Sequence, residues 1–318
     1  MLIEAIRFQV MMQIENVDCI PELDAGVRHH FSVVEDGLKH ELLFLKKDIN
    51  LIVFLPSWNS KRKAIYSSRP EFTRNAWCDL PYSTVCVSDP TMLDYPDVRS
   101  GWHLGRADCD ALDGLIRIIQ KIRTVNGMNG KLLFYGSSMG GFTALRAASC
   151  IEGALAIAEV PQLDLRKFKP SRLLLGNIFN INSEENVYPS NIVHRINVID
   201  MFVEKQNVPR CYIVQKESDQ LHLKEHLLPF LSQLYNLPFS SDNIHVEIIG
   251  AGADASGHSA LSKHEAMSRI DFMLGGGCCD GSGPGVWRML VQSVLSHSSV
   301  AKVSAFVGAV YNRVRSKF

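Results

Sequence analysis

Six short, mainly apolar runs without alternation constrain this chain more than any other feature. They are INLIVFL ending at Leu55, STVCVSD (83–89), KLLFYG (131–136), ALAIAEV (154–160), RCYIVQ (210–215) and IHVEIIG (244–250). A strand with one wet face alternates apolar and polar residues; a continuous apolar run suits a strand covered on both sides, as in a parallel sheet flanked by helices. Helical patterns lie between the runs, notably DALDGLIRIIQKIRTV (110–125), the segment after Gly140 and LKEHLLPFLSQLY (223–235). This alternation predicts an α/β chain with a mostly parallel central sheet. The N-terminal region is different in kind. Residues 3–14 and 29–46 read as short strands, and the second region contains Glu35-Asp36-Gly37, a hairpin signal between HFSVV and HELLFL, so antiparallel structure is expected over 1–49.

The main domain is expected to span 1–274, interrupted at 165–207 by a polar, Asn-rich helical stretch of the kind that forms a cap. GGGCCDGSGPG (275–285) reads as a flexible linker. Beyond it, 286–318 carries Leu290, Val291, Val294 and Leu295, then Val303, Phe306, Val307, Val310, Tyr311 and Val314, at helical spacing, and ends with Arg313, Arg315 and Lys317. These residues predict a C-terminal amphipathic helix. It would dock on the domain, on another subunit or complex partner, or on a membrane surface through its apolar face and basic flank.

With 33 basic and 33 acidic residues the formal net charge is zero, which does not suit a nucleic-acid partner. Eight cysteines are scattered with no CxxC pair, so neither a zinc nor a redox motif is expected; several sit in apolar runs, as reduced core thiols do. Glu4 and Arg7 interrupt the first apolar run, unlike a signal peptide, and no apolar stretch reaches the length of a membrane span. A cytoplasmic protein is expected, with membrane contact only through the C-terminal helix.

The chemistry resides in KLLFYGSSMGGFTALRAA, where Gly136-Ser137-Ser138-Met139-Gly140 is a G-x-S-x-G sequence between a predicted strand and a predicted helix. In that context the sharp turn exposes the serine, and small residues two before and two after let it close. The Met139 amide at the helix N-terminus becomes an oxyanion donor. An ordinary Gly/Ser turn would look the same, but the order of the remaining candidates supports the motif. Asp219 follows the RCYIVQ run and His258 follows the IHVEIIG run, giving the chain order Ser, Asp, His of the α/β-hydrolase fold. Ser138 is then the nucleophile, His258 its general base and Asp219 the residue that orients the imidazole. Glu217 competes with Asp219, Asp254 would serve if its loop folds differently, and His264 competes with His258 from inside the next helix. His222 and His226, four apart, resemble a metal pair without a third ligand, and packing or lining the pocket suits them better, so no metal is expected. The second oxyanion donor should come from the loop Pro56-Ser57-Trp58-Asn59-Ser60, where the Trp58 amide is the candidate; packing alone would equally explain Trp58.

From about residue 50 to about 265 the sequence resembles α/β-hydrolase-fold proteins of bacterial surface-polysaccharide and glycoprotein-glycan biosynthesis, including capsule O-acetyltransferases and accessory esterases. The resemblance rests on SDPTML (88–93), WHLG (102–105), FYGSSMGGFTAL (134–145), VPQLDL (160–165), QKESDQLHLKEHLLPF (215–230) and SGHS (256–259). It implies O-acetyl transfer to a glycan hydroxyl, or removal of an ester from one, with acetyl-CoA as a possible donor and Gln162 and His222 in substrate binding. The PSWNS loop departs from the familiar pattern, and no glycine loop for a nucleotide is visible. Competing readings are a noncatalytic accessory protein of a polysaccharide or secretion complex, a small-molecule carboxylesterase, and a peptidase on the same scaffold.

Overall fold

The computed structural model describes residues 11–58, 72–95, 97–181, 187–237, 243–250 and 258–275, and the backbone of 286–290. Its strands are β1 (Met12–Ile14), β2 (Arg28–Glu35), β3 (Leu38–Leu45), β4 (Leu51–Phe54), β5 (Ser83–Val87), β6 (Leu132–Ser137), β7 (Leu155–Glu159), β8 (Arg210–Lys216), β9 (Ile244–Ile249) and β10 (Val286–Leu290). Its helices are α1 (Thr91–Asp94), α2 (Ala111–Val125), α3 (Met139–Ser149), α4 (Arg172–Phe179), α5 (Val193–Ile196), α6 (Val198–Lys205), α7 (Leu228–Tyr235) and α8 (Lys263–Leu274).

One ten-stranded sheet runs β1-β2-β3-β5-β4-β6-β7-β8-β9-β10. The six apolar runs are its six consecutive parallel strands, β5 to β9 in that order. Leu51 and Val53 pack into one core and Ile52 and Phe54 into the other, and Leu132 and Phe134 alternate with Leu133 and Tyr135 in the same way. Both faces are covered, which is why the runs show no alternation. The first core takes α2, α3, α4 and α6; the second is closed by α8.

The expected hairpin is present: β2 and β3 pair antiparallel from Arg28↔Leu45 to Glu35↔Leu38, and the two turn residues Asp36 and Gly37 have φ of 50° and 73°. Positive φ at both positions is what a two-residue type I′ turn requires. Residues 3–10 lie outside the described set. The 165–207 stretch divides in function. Its first part, through α4, overhangs the C-terminal ends of the strands, while α6 packs on α3 as the crossover into β8. Val286–Leu290, expected as the opening of a helix, instead pairs antiparallel with β9. Five apolar-rich residues satisfy either period, and an open sheet edge decides for the strand. The linker at 276–285 and the helix expected over 291–318 lie outside the described residues. Among the described residues no helix is long and apolar enough to cross a membrane.

Sharp closure between β6 and α3 depends on two glycines. A Cβ on Gly136 would overlap the backbone of Gly140, and one on Gly140 would stand 2.7 Å from the Pro56 carbonyl oxygen. Gly136→Ala is therefore expected to lower stability by about 2–3 kcal/mol, read as a lower urea midpoint at unchanged slope. An unchanged midpoint would mean that the turn opens freely.

Candidate active site

Ser138 occupies the turn between β6 and α3 with φ 54° and ψ −116°, a conformation that costs a non-glycine residue about 1–3 kcal/mol. Its surroundings hold it there: the Ser138 amide donates to the Glu159 carbonyl at 2.8 Å, and the Phe142 amide donates to the Ser138 carbonyl at 3.2 Å. The side chain is thereby presented to a cavity of about 600 Å³ lined by Trp58, Met139, Gln162, Phe168, His222 and His258 among others.

Asp219 follows β8, and His258 lies just before α8, whose start is set by a capping box between Ser262 and Glu265. The structure brings these residues together. His258 Nε2 is 3.0 Å from Ser138 Oγ, and His258 Nδ1 is 2.6 Å from Asp219 Oδ2. The Asp219 carboxyl is buried and His258 is 37% exposed, so the base faces the cavity and its anion is shielded. Burial alone would raise the Asp219 carboxyl, but hydrogen bonds from His222 and His258 outweigh it and hold it well below the ordinary carboxylate range. Among the rivals, His264 lies within α8, Glu217 is not the carboxylate bonded to His258, and Asp254 falls outside the described residues.

Gln162 and His222 both lie in the site. His222 Nδ1 is 3.0 Å from Asp219 Oδ1 and 2.9 Å from Oδ2, its backbone N–H donates to Oδ1 at 3.2 Å, and its ring stacks on His258 with centroids 4.3 Å apart. Gln162 Nε2 lies 2.8 Å from His222 Nε2 and 2.8 Å from Ser138 Oγ. Asp219, His222, Gln162, Ser138 and His258 thus close a ring of hydrogen bonds. Two nitrogen or oxygen ligands on a tetrahedral zinc stand about 3.3 Å apart, so the 2.6–3.0 Å contacts of Asp219 with both imidazoles are direct N–H···O bonds. His226 packs instead: its Nδ1 accepts the Leu163 N–H at 3.3 Å, and burial followed by the neighbouring His222 pushes its imidazole down to about 4.

Trp102 had no role assigned from sequence, yet its indole N–H donates to Gln162 Oε1 at 3.2 Å. Trp102 and His103 both take φ of 51°, held by Asp89 and Thr91. Asp89 Oδ2 accepts the His103 N–H at 3.0 Å and Thr91 Oγ1 accepts the Gly105 N–H at 2.8 Å. SDPTML and WHLG, remote in sequence, are therefore one structural unit that delivers the indole. Only the co-occurrence of the two motifs could have signalled this.

Met139 opens α3 and is buried beneath the cavity; Trp58 is 47% exposed at its mouth. The Ser57 amide is engaged by Thr73 Oγ1 at 2.9 Å, and Ser57 Oγ bonds Ser137 Oγ at 2.6 Å, which fastens the loop after β4 to the turn carrying Ser138. Across the cavity, Phe168 packs on Trp102, His222 and His226, and the exposed Leu173 and Leu221 form an apolar rim.

No family model and no curated protein matches the sequence. Solved structures do resemble it. The capsule O-acetyltransferase of Neisseria meningitidis serogroup A is 16% identical over 76% of this chain and 95% of its own, with a TM-score of 0.55. A histidine-to-alanine mutant of that enzyme, in complex with CoA, gives the same TM-score. The glycosylation-associated protein complex Gap123 of Streptococcus agalactiae is 14% identical over 76% of this chain and 46% of its own, TM-score 0.54. Esterase B from Lactobacillus rhamnosis is 11% identical over 80% and 88%, TM-score 0.50. The chain has the α/β-hydrolase fold, as expected from its motif and strand order.

Proposed function

We propose that this protein is a serine-dependent acyl-transferring enzyme that moves an acyl group to, or removes one from, a glycan hydroxyl, with Ser138, His258 and Asp219 as its triad. The observation that carries the reading is the hydrogen-bonded series Ser138–His258–Asp219 at a cavity, with Ser138 held in a strained conformation. In the first half-reaction Ser138 Oγ attacks the acyl carbonyl carbon while its proton passes to His258 Nε2; the leaving group, an alcohol from an ester or the thiol of CoA from acetyl-CoA, departs with that proton, and the acyl group stays on Oγ. In the second, water or an acceptor hydroxyl gives its proton to His258 and attacks the acyl carbon, and Oγ departs and regains the proton. Asp219 accepts from Nδ1 and keeps the lone pair of His258 on Nε2. The Met139 amide stabilises the oxyanion from the α3 N-terminus, with the Trp58 amide as the second donor.

Glycan chemistry is favoured over a general esterase by the likeness to a capsule O-acetyltransferase, and the CoA complex of that enzyme supports acetyl-CoA as the donor. The likeness to the glycosylation-associated protein complex Gap123 favours work within a glycosylation-associated complex. Six described cysteines are free, in keeping with a cytoplasmic setting. The test is turnover of p-nitrophenyl acetate with intact-mass analysis. An acetyl adduct on the wild type, absent from Ser138→Ala, is the expected result; added acetyl-CoA and sugar acceptors then distinguish transfer from hydrolysis. A folded wild type that gives neither turnover nor adduct would favour an accessory role without catalysis.

A further inference from the structure

The geometry points to Gln162 as a further catalytic residue, donating a hydrogen bond to the nucleophile oxygen, and to His222 as the positioning residue that aims it. This rests on the serine-enzyme reading above and assigns to both residues work other than substrate binding.

Hydrogen assignment around the ring has one consistent solution. The Asp219 carboxylate can only accept, so the His222 Nδ1 facing it carries a hydrogen and His222 Nε2 carries a lone pair. Gln162 Nε2 faces that lone pair and Ser138 Oγ, both at 2.8 Å, so its two N–H groups are both used. A flipped amide would aim its oxygen at the imidazole lone pair and its N–H groups at the Trp102 indole N–H, which lies 3.2 Å from Oε1 as observed. Gln162 is completely buried, so water cannot replace these partners.

Ser138 Oγ thus gives its proton to His258 and one lone pair to Gln162, leaving the other lone pair for the acyl carbon. As the proton moves to His258, negative charge grows on Oγ and the Gln162 bond becomes charge-assisted. The same bond stabilises Oγ when it leaves the acyl carbon in the second half-reaction. His222 bonds Asp219 and stacks on His258 but makes no hydrogen bond to Ser138 Oγ; it reaches the nucleophile by occupying the other N–H of the Gln162 amide.

A fluorophosphonate probe tests this, because it reports the reactivity of Ser138 without needing the natural substrate: Oγ bonds phosphorus, fluoride leaves and the proton goes to His258. Gln162→Ala is expected to slow labelling about 10-fold and His222→Phe at least as much, because it also loses its bond to Asp219; the double variant should be no slower than His222→Phe, because His222 acts on Ser138 through Gln162. His222→Gln, which keeps a donor toward Asp219 and an acceptor toward Gln162, should restore most of the rate. Labelling of Gln162→Ala at the wild-type rate, or single effects that multiply to about 100-fold, would overturn the assignment. Should His222→Phe fail to fold, Gln162→Ala and His222→Gln still decide it. A wild type that the probe does not label would instead sink the serine-enzyme reading itself.

Discussion

Asp219→Asn is expected to lower kcat/KM for an activated ester by about 10⁴-fold while leaving the fold standing, measured by p-nitrophenyl acetate kinetics alongside urea unfolding. The size follows from which end of the new amide faces which partner. Oδ1 of Asp219 accepts the His222 backbone N–H at 3.2 Å, so the asparagine keeps its carbonyl oxygen there and turns its NH₂ to the Oδ2 position. That position lies 2.6 Å from His258 Nδ1. An N–H there forces the His258 lone pair onto Nδ1 and its hydrogen onto Nε2, where it faces Ser138 Oγ and can no longer take a proton. If the loss were only about 10-fold, the NH₂ would have turned to His222 instead, breaking the link to Gln162 but sparing the base. Wild-type activity would mean that Asp219 does not orient His258.

The strands were legible because burial on both faces leaves a mark that needs no knowledge of the partner. Each of the six apolar runs became a parallel strand within a residue or two of its ends. The Ser, Asp, His order was legible for a similar reason: a sheet with fixed connectivity delivers its loops to one end, and residues after β6, β8 and β9 must meet there. Trp102 and His103 were not legible. Nothing in WHLG announces two successive residues at positive φ; that backbone is imposed by Asp89 and Thr91, more than ten positions earlier. The role of His222 was hidden too, since a spacing of four suggests a shared helix face. The segment His222–Leu227 is a π-helical turn, and Asp219, three residues before it, captures His222. Gln162 was visible as a polar residue in VPQLDL, but its bond to Ser138 depends on β7 lying beside β6.

Acid is expected to unfold this protein through buried histidines well before its carboxylates titrate. His40 lies in β3 with both ring nitrogens buried and unpartnered among the described residues, against α2, where a Cβ on Gly114 would come within 2.9 Å of Nε2. Burial, reinforced by His103 and Arg117, pushes its imidazole down to about 3. His226, at about 4, is also held neutral, chiefly by burial. In the unfolded chain both take up protons near pH 6.5, so the unfolded state binds more protons between about 6.5 and 4, and stability falls as pH falls through that window. Each group contributes up to about 1.4 kcal/mol per pH unit. Together they remove up to about 5 kcal/mol over two units, comparable to the whole stability of many domains. Asp219 acts in the opposite chemical sense but the same direction: its depressed carboxyl adds stability above about pH 3.9 that is lost only on further acidification. The check is urea unfolding from pH 7.5 to 5. The slope of stability against pH should fall in His40→Met and in His226→Met and fall further in the double variant, whatever each substitution does to stability at pH 7.5; the slope that remains belongs to His103, His194 and His245, whose imidazoles burial also holds below the ordinary range. Equal slopes for the wild type and the double variant would show that these imidazoles accept protons in the folded protein as readily as in the unfolded chain.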